Sequence, residues 1–256
     1  MLRVGAVGYL NTKPLIEGLE GYIPNCCLTL DIPSRLADSM RNGQVDVGLI
    51  PVAEYFRAGN YGMVPGLGIT SCGPVGSVYL LAKNSLERIT QLALDEGSRT
   101  SACLARILLH KKFGLLPKVC LFPMDQKEIP DEVDGLVLIG DRAMKALPVE
   151  FREQVDLGAW WTSETGLPFV YAVWAVRPGL VLSNEQVAGF HKAWETGKSR
   201  LAEIACRESV AKGMTAPAIL HYLTEQIGFE VNVREQEGMN LFGKMMVEFE
   251  KISKAV

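Results

Sequence analysis

Gly5-Ala6-Val7-Gly8-Tyr9-Leu10-Asn11-Thr12-Lys13-Pro14-Leu15 is the stretch that decides the fold class. An apolar strand breaks off on a polar Asn-Thr pair, and a helix start follows at once. Thr12 is placed to cap that helix, Lys13 to begin it and Pro14 to sit in its first turn, where a missing N–H does no harm. A strand tip that runs into a helix N-terminus sets amide side chains beside free backbone N–H groups. In open α/β sheets that arrangement receives small anions. Taken alone the stretch reads equally as an ordinary first βα turn, so the pattern around it has to decide.

Working outward, residues 2–7 predict a strand and residues 12–19 a helix. Residues 26–31 predict a second strand, and Ser34 is placed to cap a helix whose apolar Leu36 and Met40 lie four apart. Residues 45–50 form a short apolar strand halted by Pro51, and another helix begins at Ala53. This βαβαβ alternation predicts a mostly parallel sheet covered on both faces. Two further strands, 67–71 and 77–82, are joined across Cys72-Gly73-Pro74.

A second unit follows. Residues 102–109 are strongly helical after Ser98-Arg99-Thr100-Ser101, and that helix ends near Gly114. Residues 119–122 and 135–139 are compact strands, the latter stopping at Gly140-Asp141, and 169–176 make a long strand almost without charge. From Asn184 onward the pattern is helical, over 186–205, 216–223 and 241–254. The long strands 77–82 and 169–176 predict crossovers between two lobes, residues 1–82 plus 175–256 building lobe one and 83–174 lobe two. The expected class is α/β, with a mixed, mostly parallel sheet in each lobe and a cleft between them, where ligands bind at strand C-termini.

Composition narrows the function classes. The 256 residues suffice for one large domain or two smaller ones, and 48% hydrophobic against 21% charged residues describes a well-cored globular chain. A formal charge of −3 with no block of Lys or Arg offers no field for nucleic acid. No apolar run is long enough to span a bilayer, and the first residues lack the apolar core and cleavage site of a secretory leader, so the cytoplasm is the expected compartment. The six cysteines, at 26, 27, 72, 103, 120 and 206, show neither C-x-x-C nor zinc spacing and read as free thiols.

The polar tips carry the candidate chemistry. Ser98-Arg99-Thr100-Ser101 puts hydroxyls and unpaired N–H groups at a helix start, where the dipole favours an anion by about 0.3–1 kcal/mol. Ser71 and Ser77 flank a tight turn at a strand tip. Gly140-Asp141 ends a strand of the second unit, the glycine allowing close approach to the backbone. Pro51 and Glu54 follow another strand tip. Each also reads as a plain cap, turn or solvated helix residue; their common position at strand ends in two lobes makes them a set. There is no G-x-G-x-x-G after the first strand, no P-loop, no G-x-S-x-G and no H-E-x-x-H. His110, His191 and His221 fall in helical stretches away from the tips, so a histidine base has no support.

In their order, several blocks resemble one family. They are 7–15, Val45-Asp46-Val47-Gly48-Leu49-Ile50-Pro51, Gly73-Pro74-Val75, 95–101, Leu138-Ile139-Gly140-Asp141-Arg142-Ala143 and Gly166-Leu167-Pro168-Phe169-Val170. The chain is similar throughout to the chorismate dehydratases of the futalosine route to menaquinone, within the periplasmic-binding-protein-like superfamily. The resemblance implies a two-lobe type II binding-protein fold. It also implies loss of water from chorismate to give 3-[(1-carboxyvinyl)oxy]benzoate, driven by aromatisation and needing no cofactor and no metal. On this reading Asn11 and Ser71 or Ser77 are catalytic, the amide orienting the substrate and a hydroxyl meeting a carboxylate or the departing hydroxyl. Tyr9, Thr12, Pro51, Thr100, Ser101, Gly140 and Asp141 bind substrate. The base is a carboxylate of the substrate itself, with Asp141 or Glu54 as competing choices. The expected partner is the small molecule, with no nucleic acid and no membrane, and the protein is a monomer or homodimer. A non-catalytic carboxylate-binding protein or sensor on the same scaffold, and a lyase acting on dehypoxanthinyl futalosine, are the alternative functions.

Overall fold

The computed structural model describes residues 1–126, 128–145 and 150–254. Residues 127, 146–149 and 255–256 fall inside the expected lobes but lie outside the described residues. The chain begins with β1 (Leu2–Val7), a 3₁₀ turn (Leu10–Ile16), α1 (Leu19–Tyr22), β2 (Cys26–Asp31), α2 (Pro33–Arg41), β3 (Val47–Pro51), α3 (Val52–Ala58) and β4 (Gly62–Ser71). A second unit contains β5 (Val78–Ala82), β6 (Gln91–Asp95), α4 (Thr100–Phe113), β7 (Lys118–Phe122), β8 (Gly135–Ile139), α5 (Gly140–Ala143), β9 (Glu153–Asp156) and α6 (Leu157–Thr165). The chain then returns through β10 (Phe169–Val176), α7 (Asn184–Ser199), α8 (Leu201–Lys212), α9 (Ala216–His221), a π turn (Tyr222–Gln226), β11 (Gly228–Glu230) and α10 (Val233–Lys254).

Two sheets result, ordered β11-β4-β10-β3-β1-β2 and β7-β6-β8-β5-β9. The α/β class and two-lobe architecture are as expected, but the sheets are mixed without a parallel majority. β1 runs parallel to β2 and β3, and β6 to β7 and β8. β1 and β2, and likewise β6 and β7, are joined through helical crossovers, the connection that parallel neighbours need. β10 inserts antiparallel between β3 and β4, and β5 lies antiparallel to β8 and β9.

The expected lobe boundaries shift for the same reason. Val78–Ala82 pairs along its whole length with Gly135–Ile139, so β5 belongs entirely to the second sheet rather than closing lobe one. β10 belongs entirely to the first. The crossings are the short segments 72–77 and 166–168, ahead of each long strand. Hydrogen-bond registry along five or more residues leaves a strand little room to divide itself between sheets.

Local differences have local causes. The first helix starts at Leu10, not Thr12, and is a 3₁₀ turn capped by the extended Tyr9, with the Thr12 N–H donating to the Tyr9 carbonyl. Burial of Leu10 and Leu15 outweighs the capping preference of Thr12. Pro33, not Ser34, opens α2 after Ile32. The run expected as one helix over 186–205 breaks at Arg200, where Ser199 Oγ turns back to donate to the Thr196 carbonyl. β6, β9 and α6 had no counterpart in the sequence pattern.

All eight residues of β10 are buried, as befits a strand flanked on both sides and covered on both faces. Phe169 packs edge-on to Trp161 of α6 and Phe242 of α10, each at a centroid distance of 5.1 Å. The aromatic cluster thereby joins the two lobes. No helix among the described residues is long and apolar enough to cross a membrane.

One ion cluster ties together the ends of β1, β3 and β10 inside the first sheet. Buried Asp46 accepts from the Arg3 backbone N–H, from the Arg3 guanidinium at 2.8 Å and from Arg177 Nε at 2.7 Å. The Arg3 guanidinium first, then the Arg3 N–H and Arg177, hold the Asp46 carboxyl well below the usual carboxylate range despite its burial. A depressed folded-state pKa contributes stability above the unfolded-state value, about 4, and loses it as pH falls toward the folded one. Asp46→Asn should therefore lower stability at pH 7 by about 1–2 kcal/mol, since both guanidiniums stay open to water, and flatten the loss of stability below pH ~4 seen by chemical denaturation.

Candidate active site

Where the tips of β1, β3, β6 and β8 converge, the lobes enclose a narrow cavity of about 70 Å³. This is well below the roughly 300–1,000 Å³ of typical small-molecule sites, so the lobes stand closed over a narrow space. Of the residues singled out from sequence, Tyr9, Asn11, Pro51, Ser77, Thr100, Ser101 and Gly140 line it, while Thr12, Ser71 and Asp141 do not.

The first lobe contributes Tyr9 and Asn11 from the turn after β1. Tyr9 wedges against the second lobe: a Cβ on Gly97 would fall 2.7 Å from Tyr9 Oη, and one on Gly140 3.0 Å from Tyr9 Cε2. Gly140 has φ +59°, so both its backbone and its missing side chain are required there. Its expected role in ligand approach is thus shared with the seating of Tyr9. Burial, then the charges of Asp95 and Asp141, push the Tyr9 hydroxyl well above its usual pKa, so at neutral pH it is a donor. Asn11 Oδ1 is buried without a protein partner.

The second lobe contributes the start of α4. Its three hydroxyls have separate tasks. Ser98 Oγ accepts from the Ala102 N–H at 2.9 Å and so caps the helix. Thr100 Oγ1 accepts from the Ala53 N–H at 3.2 Å and donates to the Tyr171 carbonyl at 3.1 Å, binding one lobe to the other. Only Ser101 keeps its hydroxyl free of other described residues. Thr100 can therefore offer a ligand its backbone N–H but not its side chain. Arg99 also lines the cavity; its guanidinium is 4.0 Å from Asp38, a loose pairing. A free hydroxyl and first-turn N–H groups at a helix start together form an anion site, with the Arg99 guanidinium turned toward Asp38.

The remaining candidates stand behind the wall. Ser71 Oγ is 2.9 Å from Tyr171 Oη and holds that ring, which does line the cavity. Thr12 is fully buried in the 3₁₀ turn, its hydroxyl without a protein partner. Asp141 Oδ1 accepts from the Leu10 N–H at 3.2 Å, and Oδ2 lies 2.5 Å from Lys212 Nζ, which also donates to the Gly8 carbonyl. It closes the lobes rather than facing the cavity. Glu54 faces a different cavity, held by Arg41 at 2.7 Å and Arg57 at 2.6 Å. The lining residues include no carboxylate and no histidine. Asp95 sits behind Gly97, paired with Arg142 at 3.2 Å; burial raises its pKa against the pull of Arg142 and of the Gly97 and Ile139 N–H groups. Among the described residues no group of His, Cys, Asp and Glu is placed to hold a metal ion.

Sequence reading passed over Arg99, Tyr171 and Tyr222 as site residues. Arg99 lay inside a quoted motif and could have been found by its position at a helix start. Tyr171, within an apolar strand, gave no polar-tip signal. Neither did Tyr222, in a helical stretch far along the chain.

The chain matches, over residues 2–248, a family model described as menaquinone biosynthesis. It is 30% identical to the chorismate dehydratase of Thermus thermophilus, covering 93% of this chain and 92% of the relative. It is 26% identical to the chorismate dehydratase of Campylobacter jejuni, covering 94% and 95%. Among solved structures, a protein from Archaeoglobus fulgidus superposes with a TM-score of 0.76 at 15% identity, covering 100% of this chain and 98% of that one. A Candida albicans protein described as having the generic periplasmic binding protein fold gives 0.60 at 11% identity, covering 97% and 94%. At these identities the structural likeness establishes the fold, a periplasmic-binding-protein-like one. The chain belongs to the menaquinone biosynthesis family.

Proposed function

We propose that the chain is a hydro-lyase that removes the C4 hydroxyl and the C3 proton of chorismate as water, leaving 3-[(1-carboxyvinyl)oxy]benzoate. The observation that carries this reading is an interlobe cavity whose lining brings together Asn11, Ser77 and the anion site at the start of α4. The activity named for the Thermus thermophilus and Campylobacter jejuni relatives supports it. One carboxylate of the dianion is taken by the Ser101 hydroxyl and the first-turn N–H groups of α4. Asn11 and Ser77 meet the C3–C4 edge, where hydrogen bonding to the departing oxygen lowers the barrier to C–O cleavage.

The proton at C3 needs an acceptor. With both Asp141 and Glu54 off the lining, the enolpyruvyl carboxylate of the substrate is the acceptor we favour. Orientation of a group already attached to the substrate is worth up to roughly 7–11 kcal/mol, so a protein base is not obligatory. The C3–H bond breaks toward that carboxylate, its electrons form the C3–C4 double bond, the C4–O bond breaks with its electrons on oxygen, and the proton held by the carboxyl group passes to that oxygen, which leaves as water. Closure of the lobes, held by Asp141 with Lys212, excludes solvent from these contacts.

Incubation with chorismate should abolish the ultraviolet absorption of the cyclohexadiene and yield the benzoate. Binding without spectral change would instead favour a carboxylate-binding protein of the same fold. Asn11→Ala should lower kcat by about 10²–10³-fold. Asp141→Asn, which keeps an acceptor for the Leu10 N–H but loses the charge facing Lys212, should act mainly through KM, raising it several-fold in steady-state kinetics. Glu54→Gln should lower the melting temperature yet keep kcat within about twofold. A collapse of kcat in either carboxylate variant with substrate affinity intact would overturn the substrate-assisted step.

A further inference from the structure

The π turn Tyr222–Gln226 interrupts the C-terminal helices directly beside the cavity, where Ile227 becomes part of the lining. Single π turns inside helices recur at functional sites, because they re-aim side chains that a regular helix would point elsewhere. Here two of them bear on one short segment of the interlobe crossing. Tyr222 Oη lies 3.0 Å from Ser77 Oγ. Gln226 covers Gly76, where φ is +68° and a Cβ would fall 2.4 Å from Gln226 Oε1. Tyr222 is 1% exposed, and burial keeps its phenol protonated at neutral pH.

We infer that Tyr222 is a positioning residue whose hydroxyl orients the cavity side chain Ser77. This rests on the dehydratase reading above. The two hydroxyls are buried and 3.0 Å apart, and either can donate. When the tyrosine proton goes to Ser77 Oγ, the serine proton is left for an acceptor in the cavity, which in the proposed reaction is the departing oxygen. Each link polarises the next, so removing the tyrosine hydroxyl weakens the contact that Ser77 makes.

Tyr222→Phe keeps the ring and its packing and deletes only the oxygen. With chorismate as substrate, kcat should fall about 10–100-fold while KM changes by less than about threefold, the signature of a contact realised in the transition state. In a Ser77→Ala background the same change should have little further effect on kcat, because the group through which it acts is gone. A kcat equal to wild type, or losses that add fully in the double variant, would overturn the inference. Turnover by the wild-type protein in the same preparation tests the dehydratase reading separately.

Discussion

A single buried hydroxyl sets the geometry on which the site depends. Thr100 Oγ1 receives the Ala53 N–H from α3 and gives its proton to the Tyr171 carbonyl of β10, so the first turn of α4 is fixed to the opposite lobe through two bonds. Leaving either partner unpaired in this dry position costs about 1–3 kcal/mol. With the helix start held there, Arg99 and Ser101 come to the cavity wall. Tyr9 then finds its seat between Gly97 and Gly140, and Asp141 reaches Lys212 and the Leu10 N–H. The cavity is what remains between these contacts.

The carboxylates nearest the cavity are all engaged elsewhere. Asp95 faces Arg142, Asp141 faces Lys212, and Asp156 caps α6 while accepting from the Val75 and Gly76 N–H groups. The polar groups among the largely apolar lining are neutral phenols and hydroxyls, an amide and backbone N–H groups. A buried carboxylate placed among them would repel a dianionic ligand and drift toward its neutral form. The composition of the wall thus favours holding two negative charges and moving a proton within the ligand itself.

Much of this was legible in order along the chain. The βαβ start of the first lobe, the apolar β10 and the cap at Gly114 follow from periodicity and turn chemistry, which act over a few residues. Asn11, Ser77, Ser101 and Gly140 were found because each lies at a strand tip or helix start. Ser71 and Ser77, however, look alike in sequence. Only the pairing of Ser71 with Tyr171 places the first behind the wall and the second in it. Glu54 and Asp141 looked available as bases because their pairing with Arg41 and Lys212 joins different elements of the fold, and nothing in the sequence showed that Arg57, three residues on, turns back to Glu54.

By itself, then, the sequence determined the class of fold, the strand tips that would meet and the family to which the chain belongs, since these rest on local hydrophobic period and on motifs read in order. The tertiary structure alone decided which hydroxyls are free, which carboxylates are neutralised, where the lobes exchange strands and how Tyr222 reaches Ser77. Those outcomes depend on hydrogen bonds and charges between residues far apart in the chain, whose partners no local pattern specifies.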